Sequence, residues 1–258
     1  MFIVLTNDDG IFAKGLRAIY KALVSAGHRV QVIAPLSEQS AVGHSITVLN
    51  PLRLKEINEL EFCGWAVSGT PADCIKLGLV QLLREKPDLV LSGMNAGANV
   101  GPDVLYSGTV AAATEAAASG FRALAVSHCS VKHVDVDAYA AFAVKVMAQI
   151  PWQSLPGRRV INLNLPSCAY ADFKGLALCP QTDVLWRDWY HEHTDPRGRK
   201  YWWLDGEIPL DQVRPGTDKY QLEAGWATLT PLKFDFTDHE TIAQLRTCMD
   251  TAACFEEK

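Results

Sequence analysis

The first 35 residues constrain the fold more than any other stretch. Phe2-Ile-Val-Leu5 is a short continuous apolar run, the pattern of a strand buried on both faces. From about Gly15 to Ala26, residues Leu16, Ile19, Tyr20 and Leu23 form an apolar stripe at helical spacing. Gly27 suits the position just past a helix end, and Arg29 to Ala34 reads as a second strand ended by Pro35. Strand, helix and strand in so short a span make a βαβ unit with a right-handed crossover, and so a parallel sheet. Asn7-Asp-Asp-Gly10 then falls at the carboxyl end of the first strand, where open α/β sheets bind ligands. Adjacent carboxylates repel unless a cation lies between them, and a hard divalent ion favours oxygen ligands. A plain turn, with an Asp as helix cap, accounts for the same residues.

Later segments extend the pattern. Pro35 to Ser45 is a loop rich in hydroxyls and amides, leaving the second strand's carboxyl end toward Asp8 and Asp9. Extended segments at Ile46–Leu49, Leu52–Glu56 and Glu61–Val67 suggest a hairpin or edge strands. Thr70 reads as the cap of a helix running to about Glu85, with Pro71 in its first turn. Asp88 to Ser92 is a buried strand that breaks into a Gly/Asn loop carrying Asn95 and Asn99. Either amide can offer an oxygen to a metal or a donor to a phosphate. The loop matches neither the Walker pattern nor the dinucleotide fingerprint, and a simple turn explains it equally. Tyr106-Ser-Gly-Thr109 leads into an Ala-rich helix. Such a helix start can bind an anion through free N–H groups, with Ser107 or Thr109 as the cap. A strand at Arg122–Ser127, a helix at Val136–Gln149 and a strand at Arg159–Leu165 follow.

Beyond residue 166 the character changes, which predicts an α/β core over residues 1–166 and an extension over 167–258 that belongs to the same compact unit. The extension carries Trp186, Trp189, Tyr190, Tyr201, Trp202 and Trp203 around a turn at Pro196-Arg-Gly198. Exposed aromatics of this kind mark interfaces, so the hairpin reads as an oligomerisation arm, with ordinary core packing as the alternative. A short helix begins at Thr217-Asp218, a strand over Trp226–Thr230 is stopped by Pro231, Thr237 caps a final helix, and Glu256-Glu-Lys258 frays.

Composition narrows the classes. A net charge of −5 without a basic block argues against a stable nucleic-acid complex. No apolar run is long enough to span a membrane, and the amino terminus does not read as a signal peptide. The seven cysteines include no Cys-x-x-Cys pair, which fits free, mostly buried thiols in a reducing cytoplasm and not a zinc site.

Three loops after three parallel strands thus converge, with two carboxylates, a hydroxyl-rich turn, two asparagines and a helix start. An oxygen-only metal site beside an anion cradle suits metal-assisted phosphate chemistry. The same residues resemble the SurE (stationary-phase survival protein) nucleotidase family. Thr6-Asn-Asp-Asp-Gly10, Ala34-Pro-x-x-x-Gln-Ser-Ala41, Ser68-Gly-Thr-Pro-Ala-Asp-Cys74 and Ser92-Gly-x-Asn-x-Gly-x-Asn99 carry the likeness. Tyr106-Ser-Gly-Thr-Val-Ala-Ala112, Asn162-Leu-Asn-Leu-Pro166, Asp195-Pro-Arg-Gly-Arg-x-Tyr-Trp202, Gly216-Thr-Asp218 and Thr230-Pro-Leu232 continue it. Departures at Ala111, Thr114 and Trp202 touch none of the proposed ligands.

The resemblance implies a Rossmann-like three-layer α/β fold with a β-rich oligomerisation extension. It implies a metal-dependent phosphatase acting on nucleoside 5′- and 3′-monophosphates and on short polyphosphate. It also implies a cytoplasmic dimer or tetramer formed through the extension, with one Mg²⁺ or Mn²⁺ per subunit. Asp8, Asp9, Ser40 and Asn95 are then the metal ligands, with Asp8 and Asp9 catalytic. Asn99, Ser107, Gly108 and Thr109 lie at the phosphate. The residues themselves name no general acid; His44 qualifies only by its place in the loop. A receiver domain would need an Asp after its third strand, and a dehalogenase-type phosphatase an Asp-x-Asp nucleophile. A non-catalytic metal- or nucleotide-binding module is the remaining alternative.

Overall fold

A computed structural model describes residues 1–130 and 135–249. The opening segment forms β1 (Phe2–Thr6), α1 (Lys14–Ser25) and β2 (Arg29–Pro35), as its periodicity predicts. Next come β3 (Leu54–Glu59), β4 (Phe62–Val67), α2 (Pro71–Leu77), β5 (Leu89–Ala96), α3 (Gly108–Ala118) and β6 (Ala123–His128). The chain continues through α4 (Val136–Gln149), β7 (Val160–Leu165), β8 (Leu176–Leu178), β9 (Arg187–Thr194) and β10 (Lys200–Glu207). It closes with α5 (Asp218–Glu223), β11 (Ala227–Leu232) and α6 (His239–Cys248).

Nine strands form one mixed, mostly parallel sheet in the order β3-β4-β2-β1-β5-β6-β7-β11-β8. Strands β2, β1, β5, β6 and β7 run parallel in succession, whereas β11 is antiparallel to β7. The sheet is covered on both faces, giving the expected three-layer α/β architecture. Ile3 and Leu5 of β1 pack with Leu16, Ile19 and Leu23 of α1 and with Tyr139, Ala143 and Met147 of α4. On the other face Val4 and Val90 pack with Cys74 and Ile75 of α2 and with Ala112, Ala113 and Ala116 of α3. The small residues of α3 let it lie close on the sheet.

From β1 the chain moves outward to β2 on one side and returns to β5 on the other. The strand order therefore reverses at β1, and the loops after β2, β1 and β5 open into that crevice. Two strands from beyond residue 166, β8 and β11, complete the sheet. β9 and β10 instead pair only with each other, across a turn in which Asp195 accepts the Arg197 and Arg199 N–H groups. Trp189, Tyr190, Tyr201, Trp202 and Trp203 on this hairpin are exposed, so they are not ordinary core residues.

Several expectations need correction. Residues 46–49 form no strand; Thr47 instead donates from its N–H and its hydroxyl to Asp73, 2.9 and 2.6 Å away. The helix expected to reach Glu85 ends at Leu77, and Leu83 N–H closes a wide turn on the Gly78 carbonyl; glycine, a weak helix former, stands at the change. β11 passes through Pro231, which pairs with Ile161. It can do so because β8 pairs only as far as Leu229, so the strand has an open edge there. Asp238, not Thr237, caps α6. Cys63 and Cys248 are exposed, not buried; Cys254 and the tail 256–258 lie outside the described residues. No helix among the described residues is long and apolar enough to cross a membrane.

Candidate metal and phosphate site

Asp8 and Asp9 follow β1 in a tight turn in which the Asn7 amide nitrogen donates to the Gly10 carbonyl at 3.0 Å. Asp8 is buried beneath the start of α3. The Thr109 N–H donates to its Oδ2 at 3.0 Å, and the Thr109 hydroxyl donates to its Oδ1. Gly108 makes this approach possible: a Cβ there would lie 2.9 Å from the Asp8 Cβ. Asp9 turns toward β5, where its Oδ2 accepts the Ala96 N–H at 3.1 Å. That bond sets it beside Asn95. The Asn95 amide nitrogen donates to the Gly97 carbonyl at 2.8 Å, which leaves Oδ1 as its atom for a cation.

The loop after β2 closes the third side. Gln39 N–H donates to the Asp8 carbonyl at 2.8 Å, and Ile11 N–H to the Pro35 carbonyl at 2.8 Å. Ser40 therefore lies one residue from a direct contact with Asp8. Its hydroxyl donates to Glu38 at 2.6 Å, so its lone pairs remain to coordinate. Glu38 is a third carboxylate, and its charge raises the pKa of both Asp8 and Asp9. Asp8 is raised mainly by burial, against the Thr109 bonds that lower it. Asp9 is pushed up to about 6, first by burial and then by Asp8.

Among the described residues, neither Asp8 nor Asp9 forms an ion pair with a Lys, Arg or His. The Asn7 Oδ1 and the hydroxyls of Thr6 and Ser92 are buried nearby without a hydrogen-bond partner. Crowded carboxylates with raised pKa values and only oxygen donors beside them suit a hard divalent cation.

The phosphate-side residues are more varied. Ser107 caps α3 by accepting the Val110 N–H at 3.1 Å, which resolves the choice between Ser107 and Thr109 as cap. Both Thr109 donors are engaged by Asp8. Asn99 is buried and tied down on every side. Its N–H donates to Asn164 at 2.7 Å, its amide nitrogen donates to the Ser127 hydroxyl at 2.8 Å, and its carbonyl accepts from Asn162 and Asn164. His44 lies over α3, its Nε2 3.0 Å from Glu115, which also accepts from Lys76 at 2.8 Å.

The SurE survival-protein family model matches residues 3–188. This chain belongs to the SurE family. Its relatives include 5′-nucleotidase SurE of Oleidesulfovibrio alaskensis, 62% identical over 97% of this chain and 96% of the relative. The protein of that name from Nitratidesulfovibrio vulgaris is 59% identical, covering 94% of this chain and 90% of the relative. The crystal structure of SurE protein from Aquifex aeolicus superposes with a TM-score of 0.83 at 33% identity, covering 96% and 99% of the two chains.

Within this SurE chain, sequence reasoning passed over Glu38, although it lies in the hydroxyl-rich loop already singled out. It also gave no role to Asn162 and Asn164, whose alternation along β7 directs both side chains to one face. Glu115, the one charged residue of the Ala-rich α3, left no signal of its partners.

Proposed function

We propose that this protein is a metal-dependent phosphomonoesterase that hydrolyses nucleoside 5′- and 3′-monophosphates to nucleoside and phosphate. The observation that carries the reading is the adjacent Asp8–Asp9 pair, uncompensated by any cation among the described residues, with Asp8 buried against the start of α3 and Asp9 held at the end of β5. Membership of a family whose relatives are named 5′-nucleotidases supports it.

Asp8, Asp9, Ser40 and Asn95 would hold one divalent cation per subunit, Mg²⁺ or Mn²⁺. When bound, such a cation supplies Lewis acidity toward water and toward a phosphoryl oxygen. Thr109 aims Asp8 and works against the effect of burial on its carboxyl by donating two hydrogen bonds to it. Glu38 accepts the Ser40 hydroxyl hydrogen bond, which leaves the serine oxygen's lone pairs free to face the site. The Gly108 N–H and the Ser107 hydroxyl lie at the positive end of α3, where phosphate oxygens are favoured. Asn99 fixes the loop leading to them. Asp8 or Asp9 orients the attacking water. Short polyphosphate is a further substrate on this reading, and the enzyme is a cytoplasmic dimer or tetramer assembled through the aromatic hairpin β9–β10.

The test is phosphate release by the purified protein from 5′-AMP, 3′-AMP and a phosphodiester, with Mg²⁺, Mn²⁺ or EDTA. Release is expected from the monophosphates with metal, and not from the diester or in EDTA. No release from any monophosphate with any metal overturns the reading. Nucleotide binding without release would point to a non-catalytic module.

A further inference from the structure

The Gly216-Thr-Asp218 motif lies outside the residues discussed above as ligands, yet Asp218 is among the most completely buried polar residues of the chain. Its Oδ2 accepts the Gly101 N–H at 2.8 Å, and its Oδ1 accepts the N–H groups of Thr182 and Lys219, both at 2.7 Å. Gln181, beside Thr182, donates its amide to the Gly101 carbonyl at 2.7 Å. Both polar groups of Gly101 are thus taken by side chains from beyond residue 166. The fit excludes any side chain at this position: Gly101 has φ +49, and a Cβ would lie 2.5 Å from Thr182 Cγ2. A third clasp lies two residues on, where Trp186 Nε1 donates to Asp103 at 2.5 Å.

Gly101 begins the single turn Gly101–Leu105. Asn99 stands just before that turn, and Ser107, Gly108 and Thr109 just after it. The sheet side of the segment is anchored through Asn99 by Asn162 and Asn164. Its outer side is anchored through Gly101 by Asp218 and Gln181. A carboxylate held by several backbone N–H groups is a rigid fixture, and this one fixes the strap between the two groups of phosphate-side residues.

We propose that Asp218 is a positioning residue for the phosphate site: with Gln181 it sets the 99–109 strap so that the start of α3 meets a phosphate group. The proposal rests on the phosphate-side reading given under Proposed function. It makes the segment beyond residue 166 a working part of the site and not only a surface for assembly.

The experiment compares wild type, Asp218→Asn and Gln181→Leu. Inorganic phosphate is titrated calorimetrically into each Mn²⁺-loaded protein, Mn²⁺ into each metal-free protein, and KM and kcat are measured on 5′-AMP. Loss of a charge-assisted bond predicts phosphate affinity weaker by about tenfold or more in Asp218→Asn, with a matching rise in KM. For Gln181→Leu the loss is roughly threefold to tenfold. Mn²⁺ affinity should stay within about twofold of wild type, well inside a tenfold step. Folded variants with wild-type phosphate affinity and KM overturn the proposal, even if their Tm falls, because a purely structural anchor moves only stability. An equal loss of Mn²⁺ affinity overturns it too. Should Asp218→Asn not fold, Gln181→Leu decides by the same criteria. Wild-type turnover judges the nucleotidase reading separately. The phosphate titration reads the strap with or without turnover, and a wild type that binds no phosphate also ends the proposal.

Discussion

The starts of α2 and α3 use similar chemistry to opposite ends. Each is a helix start on the same face of the sheet, and each holds a buried aspartate. At α2 the aspartate belongs to the helix itself. Asp73 completes a reciprocal cap with Thr70 and takes two more bonds from Thr47. Burial raises its pKa, but those bonds outweigh it and the carboxyl ends below its ordinary value. At α3 the aspartate comes from another strand. Asp8 receives two bonds from Thr109, yet burial and the neighbouring Glu38 leave its pKa raised. A closed cap is satisfied by its own surroundings; the Asp8–Asp9 site lacks positive charge that the described residues do not supply. At these two helix starts the balance of burial against hydrogen bonding thus falls on opposite sides.

The largest expected effect sharpens this contrast. Asp8→Asn or Asp9→Asn should lower metal-dependent phosphate release by at least ~10³-fold, the scale of losing a central catalytic group. Assays at saturating 5′-AMP check it. Asp73→Ala should instead cost about 1–3 kcal/mol of stability through unsatisfied partners, read by urea unfolding. Its Mn²⁺ affinity should be unchanged; a large loss there would break the comparison.

The pH dependence of stability should have opposite signs at Asp9 and Asp73. The Asp9 pKa is raised from 3.8 to about 6 in the folded chain. Its contribution to stability is therefore present below 3.8 and lost as pH rises through about 6. Metal should offset that loss, so the Tm gain on adding Mn²⁺ should grow between pH ~4 and ~7. Asp73 is depressed below 3.8, so its contribution is present above 3.8 and lost as pH falls further. Thermal scans of wild type and Asp73→Asn across both windows check the two signs. The smallest effect is that of Glu38→Gln. Removing its charge should lower the Asp9 pKa toward its ordinary range, read by NMR titration of the metal-free protein.

Much of the frame was legible because it is local. Apolar runs and one helical stripe over residues 2–35 sufficed for β1, α1 and β2, and so put Asp8 and Asp9 at a strand end. Chain order alone could not show that β5 lies beside β1, which brings Asn95 to Asp9. Ser40 could not be distinguished from neighbouring hydroxyls by composition; the family resemblance singled it out. What escaped reading depends on long-range side-chain bonds to backbone. Asp218 reaches Gly101 across 117 residues, and Asn164 reaches Asn99 across 65. Such contacts leave no periodicity. The same holds for Thr47, whose bonds to Asp73 replace the strand that its β-branched neighbours suggest.

The most direct test of the central claim is calorimetric titration of Mn²⁺ into metal-free wild type, Asp8→Asn and Asp73→Asn. The account predicts one site per chain in wild type and in Asp73→Asn, and its loss in Asp8→Asn. Equal Mn²⁺ binding by all three proteins, or none by wild type, would contradict it.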